Sequence, residues 1–128
     1  MKKGAKKEIQ AKPTLLKKGD KVMVIAGGNK EKKAIKGQTG KIISFVGSDR
    51  QRALVEGLNL VTRHTRAKSV GEKSGKIAKE APIHVSRLMY FADKLNKPVK
   101  LCTSLLADGK KVRGYKDKES KSFVQITE

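Results

Sequence analysis

KGDKVMVIAGG (Lys18 to Gly28) and GQTGKIISFV (Gly37 to Val46) are the two stretches that decide how this chain folds. Lys17-Lys18-Gly19-Asp20 reads as a polar turn, with Asp20 as its capping residue. Lys21 to Ala26, KVMVIA, is rich in β-branched residues and predicts a strand. Its apolar residues fall on both faces, so burial on both is expected, as in a small barrel. Gly27-Gly28-Asn29 ends the strand with residues that tolerate positive φ. Residues 30–39 then form a charged loop. GKIISFV, Gly40 to Val46, predicts a second strand, closed by the turn Gly47-Ser48-Asp49-Arg50.

Outward from this pair the β pattern continues. ALVEGLNLV, Ala53 to Val61, predicts a third strand, and Gly57 inside it predicts a bulge or bend that lets a small sheet curl. Residues 62–80 are polar and basic and read as a long protruding loop, in which Lys76 to Ala81 is at most a short helix. Pro82 opens a strand, IHVSRLMYF; Pro98 precedes another, VKLC. Asp108-Gly109 has the chemistry of a hairpin turn with KVRGY beyond it, and FVQIT is a last strand. No amphipathic helix longer than three turns is legible. Residues 1–14 read as a disordered basic arm ending near Pro13. The fold class is therefore mostly β.

Charge bounds the function. The 128 residues hold 31 Lys and Arg against 12 Asp and Glu, a formal net charge of +19. So much like charge around a small core repels itself, which implies a polyanionic partner. The charge is also distributed: 13 basic and 3 acidic residues over 1–42, 8 and 4 over 43–80, 10 and 5 over 81–128. That pattern suggests phosphate on several sides of the molecule. The longest apolar run, Val22 to Ala26, is too short to span a bilayer, and no apolar region follows the basic start, so neither a membrane nor an export route is expected. The single Cys102 forms no internal disulfide, in keeping with the cytoplasm. Aromatics amount to 4% (Phe45, Tyr90, Phe91, Tyr115, Phe123), too few for a platform that stacks successive bases. Phosphate contacts and RNA shape should carry affinity.

The segment Lys18 to Ile42 resembles a KOW motif: a Gly-Asp turn, a Val strand, a glycine turn, lysines, then Gly-Lys before a second apolar strand. VEGLNLVTRHTR (Val55 to Arg66), GKIAKEAPIHVSRLM (Gly75 to Met89) and DGKKVR (Asp108 to Arg113) follow in order. Together these blocks are similar to the bacterial large-subunit ribosomal protein twenty-four family, a likeness that covers residues 17–113. The resemblance implies a small SH3-like (KOW) barrel over 15–66, a protruding basic loop over 67–80, a β-rich C-terminal extension over 81–128 and a basic N-terminal arm. It further implies binding to the 5′ region of large-subunit ribosomal RNA, an early role in subunit assembly, neighbouring large-subunit ribosomal proteins as partners, and a place beside the polypeptide exit tunnel. In that family the loop matching Thr65 through Lys79 is the hairpin that reaches the tunnel mouth, which makes Arg66, Lys68, Lys73 and Lys76 the tunnel-loop residues. The chain departs from the family pattern by the extra residues Lys30 to Ile35, and has Cys102-Thr103 where the family more often has Gly-Tyr.

The expected RNA-binding residues are Lys17, Lys18, Gly27, Gly28, Asn29, Lys30, Lys32, Lys33, Lys36, Gly40, Lys41, Arg50, Arg52, Arg63, His64 and Arg66. The glycines remove Cβ where RNA backbone approaches, and arginine's planar fork suits phosphate. His84, within a strand, reads as structural, and Cys102 as a small apolar residue. His64 and His84 have no zinc spacing, Gly27-Gly28-Asn29-Lys30 lacks the Gly-Lys-Ser/Thr ending of a P-loop, and no Ser/His/Asp or paired-carboxylate arrangement is identifiable. The reading is not an enzyme, with no metal, cofactor or small-molecule substrate. Two other functions compete. One is a transcription factor using its KOW domain on polymerase, for which the chain is short and basic throughout. The other is a DNA-compacting protein, which needs only nonspecific phosphate binding.

Overall fold

The computed structural model describes residues 14–27, 35–71 and 74–126. The expected arm over 1–14 lies outside them apart from Thr14, as do residues 28–34, 72, 73, 127 and 128. Eleven strands and one 3-10 turn are found among the described residues: β1 Lys21–Val24, β2 Thr39–Val46, β3 Arg52–Val55, β4 Leu60–Thr65, β5 Gly75–Glu80, β6 Ile83–His84, the 3-10 turn Val85–Arg87, β7 Leu88–Ala92, β8 Lys97–Val99, β9 Leu101–Leu105, β10 Lys111–Lys116 and β11 Phe123–Gln125. The chain is mostly β, as its strand-forming runs require.

Three sheets result. The largest runs β6-β3-β2-β1-β7-β8; β11-β10-β9 form a second and β4-β5 a third. The six-stranded ladder is open, with β6 and β8 at its edges, so the described strands do not close into a barrel. One run of chain nonetheless reaches both flanks of β2. Ile83 and His84 pair with Ala53 and Arg52 of β3, and Leu88 to Tyr90 pair with Val24 to Val22 of β1. Because β3 and β1 lie on opposite sides of β2, the sheet has to curl around its inner face. The 3-10 turn makes that crossing.

Inside the curl sits the core: Leu16, Val22, Val24, Ile42, Ala53, Val55, Leu58, Ile83 and Leu88. Val22, Val24 and Val55 are completely buried, and each contributes about 1.5–3 kcal/mol of transfer free energy. The alternation in β1 is cleaner than the apolar run suggests, since Val22 and Val24 are buried while Met23 is only half-buried. Beside the core, Asp20 and Arg113 form a bidentate pair at 2.5 and 2.9 Å with side chains about nine-tenths buried. Asp20 Oδ2 also accepts from the Lys17 amide at 2.8 Å, so it caps its turn as expected. Tyr90 and Tyr115 stack at 6.4 Å, and with the Asp20–Arg113 pair they join the two larger sheets. Burial, with Asp20 adding to it, pushes the Tyr90 hydroxyl above its ordinary pKa.

Several elements differ from expectation. The third strand stops at Val55, because Gly57 (φ 70°) and Asn59 (φ 53°) turn the chain out of the sheet into β4. The bulge is in β2 instead, where Ile42 pairs with Val55 and Ser44 with Leu54, leaving Ile43 as the extra residue. IHVSRLMYF is two strands split by the 3-10 turn, whose start is capped by the His84 ring nitrogen Nδ1 accepting from the Ser86 amide. VKLC is divided at Lys100 between β8 and β9, which belong to different sheets. The loop expected over 67–80 supplies a strand: Gly75 to Glu80 pair residue for residue with Thr65 to Leu60. Lys76 to Ala81 is thus extended, not helical. Strands β6 and β7, expected in a C-terminal extension, complete the sheet of β1, β2 and β3.

Candidate nucleic-acid interface

The described RNA-binding candidates fall on three places in the fold. Lys17 and Lys18 flank the turn before β1, exposed, and Lys17 lines a groove with Arg50, Thr103, Lys111 and Arg113. Arg50 sits in the β2–β3 turn at φ 53°, with its guanidinium 4.5 Å from the centre of the Phe45 ring. That contact holds the stem while the polar edge stays accessible. Lys36 is exposed in the turn that precedes β2, and Lys41 is exposed on β2 opposite Lys21. Gly28, Asn29, Lys30, Lys32, Lys33 and Lys73 lie outside the described residues.

A second place is the β4-β5 hairpin. Arg63 pairs with Ile77 and His64 with Lys76, while Arg66 and Lys68 lie in the connection beyond Thr65. Neither strand has a fully buried residue, and cations occur on both faces of the ribbon. Leu60, Val70 and Ile77 are exposed as well. A two-stranded ribbon without a buried face is marginal in water, so an arm of this kind gains order from whatever it lies on.

Arg52 marks a third place. It is exposed on β3 directly opposite His84 and lines a groove of about 340 Å³ that also contains Arg87. Neither His84 nor Arg87 was among the residues expected to bind. His84 has the structural role anticipated, as the cap of the 3-10 turn. Only the crossing of the sheet brings Arg87 to this groove, which no local pattern announces.

Of the expected glycines, Gly27 and Gly40 lie among the described residues, and each is closely approached by the protein itself. A Cβ on Gly40 would stand 2.7 Å from the Glu56 carbonyl oxygen and 2.8 Å from Val55 Cγ1. Gly40 is therefore needed for packing of the turn after β3. Gly27 has φ 95°, and its Cβ would stand 3.0 Å from Arg87 Nη1. Its bare Cα is where the arginine lies.

Little else in the molecule competes as a site. No cluster of three or more metal-ligating side chains occurs among the described residues, and none of their helices is long and apolar enough to cross a membrane. Cys102 is half-buried on β9 and lines an apolar groove with Met89, Val99 and Leu101. Asp117 is held below the usual carboxylate range by hydrogen bonds from the Glu119 amide and the Ser120 hydroxyl, a turn-stabilising arrangement.

Residues 58–121 match the family described as large ribosomal subunit protein uL24, C-terminal domain. The large ribosomal subunit protein uL24 of Dehalococcoides mccartyi is 47% identical over 98 residues, covering 77% of this chain and 88% of the relative. The chain belongs to the uL24 family. Proteins of the same name from Geobacter metallireducens (48% identical over 98 residues, 77% of this chain and 83% of theirs) and Carboxydothermus hydrogenoformans (45%, 77% and 85%) agree. Membership in uL24 makes the chain a structural protein of the large ribosomal subunit, not an enzyme, and places it on the ribosome in the bacterial cytoplasm. The matched region runs from the turn after β3 through β10, and so includes the hairpin, the 3-10 turn and Arg113.

Proposed function

We propose that this uL24 protein binds the 5′ region of large-subunit ribosomal RNA, promotes early assembly of the subunit, and lies near the exit tunnel. The observation that carries the reading is a net charge of +19 on a uL24 chain whose cations stand exposed on separate faces. Lys17, Lys18, Lys36, Lys41, Arg50 and Arg52 would meet RNA around the curled sheet, an SH3-like barrel in this reading. Gly28, Asn29 and the lysines at 30, 32 and 33 would extend that contact. Arg63, His64 and Arg66 would do so on the hairpin, with Arg66, Lys68, Lys73 and Lys76 at the end directed to the tunnel. Neighbouring large-subunit proteins would cover part of the remaining surface.

Sedimentation tests the reading. In low salt the protein should travel with large subunits through a sucrose gradient and should protect the 5′ region of the RNA from cleavage. With about six to ten phosphate contacts, affinity for that RNA should fall roughly 10³–10⁵-fold between 50 and 200 mM salt. A protein that stayed in the light fractions, or bound duplex DNA as well as this RNA, would overturn it.

A further inference from the structure

The groove at the sheet crossing gathers two arginines and a histidine from three different elements. Arg52 reaches it from β3, His84 from the directly paired position on β6, and Arg87 from the end of the 3-10 turn. Ile35 and Ile83 supply apolar walls, and no carboxylate lines it. Neither arginine is in an ion pair among the described residues. Two guanidinium groups around one small groove repel each other, modestly because both side chains are exposed to solvent. Such an arrangement is stabilised by an anion.

Two of the three donor residues, His84 and Arg87, are held in place before any anion arrives. His84 Nδ1 accepts from the Ser86 amide at 3.2 Å and lies 2.7 Å from the Ser86 hydroxyl; in the tautomer in which Nδ1 accepts, Nε2 carries the proton and is a donor. Arg87 lies across Gly27, within 3.0 Å of where a Cβ would be, and its backbone carbonyl accepts from the Ile25 amide at 2.8 Å. The stem is thus fixed against the end of β1. Asn59 lines the groove too and is tied down, its Nδ2 donating to the Ala81 carbonyl at 3.3 Å. Preorganised donors lose little freedom on binding.

We infer that Arg52, His84 and Arg87 form one seat for a phosphodiester of folded RNA. The two forks reach the groove from separate elements, so each can take one non-bridging oxygen, while His84 Nε2–H adds a third donor. This assignment rests on the reading of the chain as a ribosomal-RNA binder, and it adds Arg87 and His84 to the contact surface.

The test is the salt dependence of binding to a 5′ fragment of large-subunit RNA. Arg52→Gln and Arg87→Gln should each lower the slope of log affinity against log salt by about one unit. Arg52→Lys and Arg87→Lys should restore the slope while leaving affinity below wild type, because charge returns without the fork. Gly27→Ala changes no charge; at φ 95° it strains the backbone as well as crowding Arg87, so with circular dichroism confirming a retained fold it should weaken binding as Arg87→Gln does, by displacing Arg87. Wild-type slopes in both Gln variants would overturn the seat while leaving RNA binding intact. A wild-type protein with no preference for this RNA would overturn the underlying reading instead. Inorganic phosphate alone should shift the Arg52 and Arg87 side-chain resonances only at concentrations far above those of RNA. Saturation by free phosphate at RNA-like concentrations, or by a polyglutamate peptide, would overturn the assignment to RNA.

Discussion

Gly40 shows what a single residue type does and does not say. In sequence it stands in a Gly-Lys pair before an apolar strand, and the approach of a ligand's backbone is a fair reason for it. In the fold the space where its Cβ would be belongs to the Glu56 carbonyl oxygen, 2.7 Å away, and to Val55. A backbone carbonyl in a packed turn cannot give way cheaply, so Gly40→Ala should destabilise by about 1–3 kcal/mol. Urea denaturation measures this, with Gly75→Ala as the control, since nothing lies within 4 Å of that position and its φ is not positive. Equal stability of the two variants would refute the packing account. Gly40 was singled out in the chain, but what it accommodates was not legible, because the atoms concerned come from another strand and the turn after it.

Among the elements, the β4-β5 hairpin was implied by the family resemblance but not by the local residue pattern. Its residues read as a loop because neither strand alternates apolar with polar, and alternation arises only when one face is buried. Here no residue of either strand is fully buried, so the pairing of Thr65 with Gly75 through Leu60 with Glu80 left no periodic trace. An element held mainly by its own ladder, with no buried face, opens readily. Amide exchange in the free protein should therefore be much faster over residues 61–65 and 75–79 than over β1 and β2. Incorporation into the large subunit should slow it by orders of magnitude. Protection in the free protein equal to that of β1 would mean that the ribbon is stable without a partner.

For the whole molecule, the decisive contact spans 93 residues, from Asp20 before β1 to Arg113 on β10. Both side chains are almost buried, at 9% and 10% exposure, so removing one charge strands the other. Asp20→Asn should cost about 3 kcal/mol in thermal or urea unfolding. Asp93→Asn, which breaks an exposed pair with Lys21, should cost under about 1 kcal/mol. Replacing Asp20 and Arg113 together by Leu and Met should recover much of the larger loss, as apolar replacement of a buried pair does. Similar costs for the two single Asn substitutions would show that the bridge does not couple the sheets.

Asp20 also marks the limit of reading from sequence. Its neighbours Lys18 and Gly19 predicted a capped turn, and the Lys17 amide bond is that cap, because the interaction lies within three residues. Strand-forming composition, the β class, the excess of positive charge and the ordered blocks of the family are likewise properties of residues or of their order along the chain. They were readable without coordinates. The crossing of residues 83–92 from β3 to β1, the burial of Asp20 against Arg113, and the meeting of Arg52 with His84 and Arg87 were not. Each depends on which strands lie side by side, and that is decided by the joint burial of Val22, Val24, Ile42, Val55 and Leu88 rather than by any local preference.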